Sequence, residues 1–162
     1  MARALIVGCG CRGRLLGERL LARGWVVRGT SRWEEGLAAI EAAGIESAIA
    51  DPDRPATLLD LVGDVAIVHW LLGSAQAEPE VIAAIHGPRL ERMLERLVDT
   101  PVRGFVYEAA GRVQRHHLQG GREIAQTAAE TWRVPVEVVD ADPTDPDVWL
   151  AAMLAASQRL TS

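Results

Sequence analysis

The chain contains no lysine and no asparagine; all seventeen of its basic residues are arginine. Without lysine there is no side chain for Schiff-base chemistry, nor an ε-amino group to act as acid, base or electrostatic partner. Other aromatics are scarce beside five tryptophans: one tyrosine, Tyr107, and one phenylalanine. Only two cysteines occur, Cys9 and Cys11. They cannot form a disulfide framework, and a bond across so short a loop is badly strained. Long apolar runs are missing too. The run around Val65–Leu72 is strand-sized, whereas a membrane span needs roughly 20 residues. The first residues read as a strand, leaving no room for the regions of a signal peptide. A soluble, cytoplasmic protein without a membrane partner is expected.

The 162 residues suit one domain over positions 1–162, with no separate substrate domain, repeat or linker. Net charge is −5, unevenly spread. Residues 1–33 hold seven arginines against the single acid Glu18, while the rest holds ten arginines against twenty-one acids. A basic first segment on an acidic chain points to a local anion site, and no nucleic-acid partner is expected.

Apolar, β-branched runs alternate with helical patterns along the chain, the signature of βαβ units. Strands are expected at Ala2–Gly8, Val26–Thr30, Ser47–Ala50, Asp64–Trp70, Val102–Tyr107 and Val134–Asp140. Most are nearly continuous in apolar residues, as in strands covered on both faces. Helices are expected at about Arg12–Arg23 and Glu34–Ala43, after Pro55, over Glu80–Val98 with a break at Gly87-Pro88, at Gly121–Trp132, and from Asp145 to Leu160. The pattern predicts an α/β fold, a single doubly wound Rossmann domain of about six parallel strands flanked by helices, ordered 3-2-1-4-5-6. Leu90, Met93, Leu94 and Leu97, with Trp149 and Met153, suit either core or the face of a homodimer.

Directly after the first strand, Gly8-Cys9-Gly10-Cys11-Arg12-Gly13 matches G-x-G-x-x-G and opens a helix, the context that gives this motif meaning. Gly8 suits the tight turn, Gly10 lets backbone approach a pyrophosphate, and Gly13 lets helix and strand pack closely. The helix N-terminus then faces the anion. At the end of the second strand, where an NAD site places an acid for the ribose 2′-hydroxyl, the chain has Thr30, Ser31 and Arg32. Hydroxyls and an arginine instead suit a 2′-phosphate, and Arg12 adds a second charge. NADP(H) is favoured over NAD(H). Asp51 sits where it reaches the adenine or caps the next helix. Trp70 and Leu71 end the fourth strand, where Trp70 either shields a dinucleotide or joins the core.

The stretches Leu5–Gly10, Val27–Arg32, Ala50–Pro52 and Gly104–Tyr107 resemble the extended and atypical short-chain dehydrogenase/reductases, including the NAD-dependent epimerase/dehydratase group. The glycine spacing is that of atypical members. The resemblance implies a nicotinamide cofactor. The family's Tyr-x-x-x-Lys pair does not carry over: there is no lysine, Tyr107 falls within a strand, and the segment that should hold the pair reads Leu118–Ile124.

Remaining chemistry is thin. His116-His117 lacks partners at ligand spacing, so a solvated loop pair is expected and no metal site. Glu108 and His117 form a minor candidate acid/base pair. A helix N-terminus and Arg12 lower a thiol pKa, which keeps a redox role open for the cysteines. The leading expectation is a cofactor sensor or a regulatory or partner subunit. The alternative is an NADPH-dependent reductase, acting on flavin or quinone, that works by positioning.

Overall fold

The computed structural model of the chain describes residues 2–162. Six strands, β1 (Arg3–Val7), β2 (Val26–Ser31), β3 (Glu46–Ile49), β4 (Ile67–Trp70), β5 (Gly104–Glu108) and β6 (Val136–Val139), form one sheet. The order is β3-β2-β1-β4-β5-β6, and every neighbouring pair is parallel. This is the expected doubly wound order. Winding reverses between β1 and β4, which opens a crevice beyond their carboxyl ends.

The apolar strand sequences follow from burial on both faces. In β1, Leu5 and Val7 face one layer while Ala4 and Ile6 face the other, and none is solvent-accessible. The first layer is closed by α3 (Pro55–Leu59), α4 (Pro79–Ile85), α5 (Pro88–Leu97) and α6 (Arg115–Trp132) through residues such as Leu58, Ile85, Leu90 and Ala125. The second is closed by α1 (Cys11–Ala22), α2 (Leu37–Ala42) and α7 (Pro146–Thr161) through Leu16, Leu20, Ile40, Trp149 and Met153. Leu90, Met93, Leu94 and Leu97 are all buried within the chain, as are Trp149 and Met153. The face considered for a homodimer is therefore core.

Several boundaries differ from expectation for identifiable reasons. The second helical segment is a 3-10 turn, Glu34–Gly36, before α2, with Gly36 packed against Ser31. Helix α6 begins at Arg115, six residues earlier than Gly121. Gly120 and Gly121 lie inside it, and a Cβ at Gly121 would collide with the Tyr107 hydroxyl. That glycine is there so the helix can cross the strand. The Gly87-Pro88 break does separate α4 from α5.

The break also turns His86 inward. Its Nε2 lies 2.9 Å from the Leu72 carbonyl, an acceptor only, so Nε2 donates. Nδ1 then accepts from the Tyr107 hydroxyl at 2.6 Å. On the other face, the Ser157 hydroxyl donates to the Met153 carbonyl, 2.9 Å away, and accepts from His69 Nε2 at 2.7 Å. Burial lowers both histidines from the ordinary 6.5 to about 4. Between those values the unfolded chain binds protons that the folded chain refuses. Their contribution is fully present above pH 6.5 and is lost as pH falls toward 4. Each costs about 1.4 kcal/mol per pH unit in that window. Glu108, raised by burial, titrates in the opposite sense. Urea unfolding at several pH values should therefore show stability falling on acidification, with a net slope of about one to two protons. A flat or rising stability there contradicts neutral burial of the two histidines.

Candidate functional site

The turn after β1 is built by its glycines. Gly8 has φ of +82°, and a Cβ there would lie 2.6 Å from the Leu71 carbonyl oxygen, so only glycine fits without strain. The Gly8 amide reaches Thr30 Oγ1 at 3.4 Å, and the Cys9 amide donates to the Thr30 carbonyl at 3.1 Å. A Cβ at Gly13 would stand 3.2 Å from both the Gly8 carbonyl oxygen and Ile6 Cγ2, which is close helix–strand packing. Gly10 is different: a Cβ there meets nothing within 4 Å. As N-cap it offers no side chain to the first-turn amides of α1. Those amides carry no side-chain cap.

The two cysteines part company. Cys9 is buried, and its Sγ occupies the space beside Gly29, where a Cβ would stand 2.6 Å away. Burial pushes its thiol up to about 12, the reverse of activation. Cys11, the first residue of α1, is exposed on the crevice.

Gly8, Cys9, Gly10, Cys11, Arg12, Gly13, Thr30, Ser31, Arg32, Asp51 and Leu71 all line one crevice of about 430 Å³. Trp70 does not. It is fully buried in the layer formed with α4 and α5, its Nε1 donating to the Ile85 carbonyl at 3.1 Å, so it is core and shields no ligand. Thr30 is buried and tied to the turn. Ser31 Oγ donates to the Trp33 carbonyl at 2.7 Å and accepts from the Trp33 amide at 3.1 Å. Arg32 is held more loosely, donating to the Gln76 carbonyl at 3.3 Å, with its guanidinium carbon 5.3 Å from the Trp33 ring centre. Asp51 does not cap α3, whose N-cap is Arg54; it accepts from the Asp53 amide at 2.9 Å beside the crevice.

Five of the seven arginines in the basic first segment fall into two groups. Arg3 and Arg28 are committed to structure, pairing with Glu46 and Asp64 at 2.6–3.1 Å. Arg12, Arg14 and Arg32 line the crevice. Sequence reasoning missed Arg14, the Ser74–Ala77 segment above the crevice, and Trp149 from α7.

At the far end of the crevice lies Glu108, buried, with Oε1 accepting from the Gly73 amide at 2.9 Å and Oε2 from Trp149 Nε1 at 2.8 Å. Burial raises its pKa; the two donors and the Arg12 charge oppose that rise. An acid in an otherwise apolar strand was the signal for it. It is not paired with His117. That residue lies in the first turn of α6 beside His116, ring centres 3.9 Å apart, so the two histidines are helical and not in a loop. Among the described residues, no three His, Cys, Asp or Glu side chains gather as metal ligands would, and no helix is long and apolar enough to cross a membrane.

No protein-family model matches the sequence, and no curated protein does. Solved structures match the architecture. A UDP-glucuronic acid 4-epimerase from Bacillus cereus in complex with NAD superposes with TM-score 0.68 at 12% identity, over 86% of this chain and 56% of that one. A short-chain dehydrogenase/reductase superfamily protein from Agrobacterium tumefaciens with bound NAD gives 0.67 at 18%, over 84% and 48%. Vestitone reductase from alfalfa gives 0.65 at 14%, over 85% and 56%. The fold is the Rossmann fold. This chain spans about half the length of those structures, and identities this low speak for architecture alone.

Proposed function

We propose that the crevice binds a nicotinamide dinucleotide, NADP(H) in preference to NAD(H), and that the chain is an oxidoreductase working by cofactor positioning. The observation that carries the binding site is the space at Gly10, open to a Cβ in the bare chain, above uncapped amides of α1. That is room for a pyrophosphate, and Arg12 and Arg14 stand beside it. NAD accompanies two of the similar structures. In this chain, however, Arg32 stands where an acid would select against a 2′-phosphate, and charge favours the phosphorylated ribose. Asp51 borders the adenine end.

When bound, the nicotinamide supplies or accepts a hydride. The chain's own part is placement. Glu108 and Trp149, locked to each other, wall the crevice opposite Arg32, and Leu71 and Leu72 line its β4 side. Tyr107 cannot serve as acid: its hydroxyl is buried against His86, and burial raises its pKa. Lysine is absent altogether. Hydride acceptors that need no side-chain acid, such as a flavin or quinone, therefore suit the site.

A second reading is a cofactor sensor or a regulatory subunit, favoured by the missing Tyr/Lys pair. NADPH oxidation with flavin and quinone acceptors separates the two. Turnover above the buffer blank supports the reductase; NADPH binding with none supports the sensor. In both cases NADPH should raise the unfolding temperature more than NADH does. Equal shifts contradict the NADP preference.

A further inference from the structure

A second cavity adjoins the crevice. Arg12 and Ser74, which line the crevice, also line this cavity of about 730 Å³. Its floor is the segment after β5, residues 109–113. One wall is a single face of α6, made by Arg115, Leu118, Gln119 and Arg122, whose three- and four-residue spacing stacks them together. The facing wall is the segment 140–144 between β6 and α7. The groove thus runs along the carboxyl edge of the sheet, the side on which open α/β sheets take ligands.

Its charge is lopsided in a way that opposes the chain's net −5. Four arginines border it: Arg12, Arg112, Arg115 and Arg122. Arg122 is paired with Asp140 at 3.3 Å. Arg12, Arg112 and Arg115 form no ion pair among the described residues. The other acid, Asp142, accepts from the Thr144 amide at 2.8 Å and the Thr144 hydroxyl at 2.7 Å and keeps its charge, so four arginines stand against two acids. Three arginines without an ion-pair partner therefore line one concavity, Arg12 with its charge also acting on Glu108. Guanidinium forks match carboxylate and phosphate oxygens in pairs.

We propose that this groove is a substrate site for a small molecule bearing a carboxylate or phosphate, with Arg112 and Arg115 holding the oxyanion and Arg12 standing at the junction with the crevice. The proposal rests on reading the crevice as the dinucleotide site, since that reading places the oxyanion beside the reacting end of the cofactor. Arg112 and Arg115 belong to the groove and not to the crevice, so they can be altered without touching the nucleotide turn. Both are exposed, and replacing them should not disturb the fold.

The test uses inorganic phosphate and gluconate as separate probes, titrated into the NADPH-saturated protein and followed by amide chemical shifts. At least one probe should shift the amides of residues 109–113 and 140–144. Its dissociation constant should rise about tenfold or more in the Arg112→Gln/Arg115→Gln variant, through loss of charge-assisted hydrogen bonds. Phosphate alone marks a phosphorylated substrate, and gluconate alone a carboxylic acid. Silence of those amides to both probes overturns the proposal, as does equal affinity in the double variant. NADPH binding, measured on the same samples, separates the two readings. If NADPH does not bind while the probes still occupy the groove, the crevice assignment falls and the groove stands. NADPH binding without probe binding gives the converse.

Discussion

Replacing Gly10 with alanine is expected to lower NADPH affinity about 30-fold or more, roughly 2 kcal/mol, while leaving the unfolding temperature unchanged. The backbone there has φ −84° and ψ −153°, extended and with negative φ, so no left-handed conformation reserves the position for glycine. The added methyl meets no protein atom within 4 Å. Any harm it does must fall on a ligand brought against the turn. Gly8→Ala is the contrasting control. Its Cβ meets the Leu71 carbonyl oxygen at 2.6 Å, and φ is +82°, so stability itself should fall. Thermal unfolding and fluorescence titration of both variants check the pair. Undiminished NADPH affinity in Gly10→Ala places the pyrophosphate elsewhere.

Arg32→Glu is expected to invert the cofactor preference. Three side chains at the end of β2 were candidates for the ribose, but two are already engaged: Thr30 with the Gly8 amide, Ser31 with the Trp33 backbone. Only Arg32 brings charge to that end, and its carbonyl contact at 3.3 Å is weak enough to exchange for a phosphate. Losing charge-assisted bonds of about 1.5–3 kcal/mol, and adding repulsion, should weaken NADPH about 100-fold. NADH, without the 2′-phosphate, should change by no more than a few-fold. Paired titrations of wild type and variant with both cofactors give the answer, and a parallel loss for the two contradicts Arg32 as the discriminating residue.

The crevice was legible because its chemistry is local. One strand, three glycines and a helix start lie within eleven consecutive residues, and the missing acid at Arg32 is read at a fixed distance along the chain. What was not legible comes from distant segments meeting. Trp149 reaches Glu108 across 41 positions, and Gly73 binds the same carboxylate from a loop after β4. Trp70 reads as a candidate shield because it ends a strand at the crevice edge, but side chains alternate between sheet faces, and register turns it into the core. Cys9 is read only as part of the glycine turn; its side chain fills the space that Gly29 leaves open. The start of α6 was missed because the helix was expected to open at Gly121, which lies inside it and serves the crossing over Tyr107. In each case the residue's role depends on a neighbour far away in the chain.

The central claim is tested most directly by calorimetric titration of the wild-type chain with NADPH, repeated with NADH. Saturable binding at one site per chain is expected, about tenfold or more tighter for NADPH, and abolished or strongly weakened in Gly10→Ala. Absence of binding for both cofactors at millimolar concentration, with the protein folded, would contradict the assignment of this crevice to a nicotinamide dinucleotide.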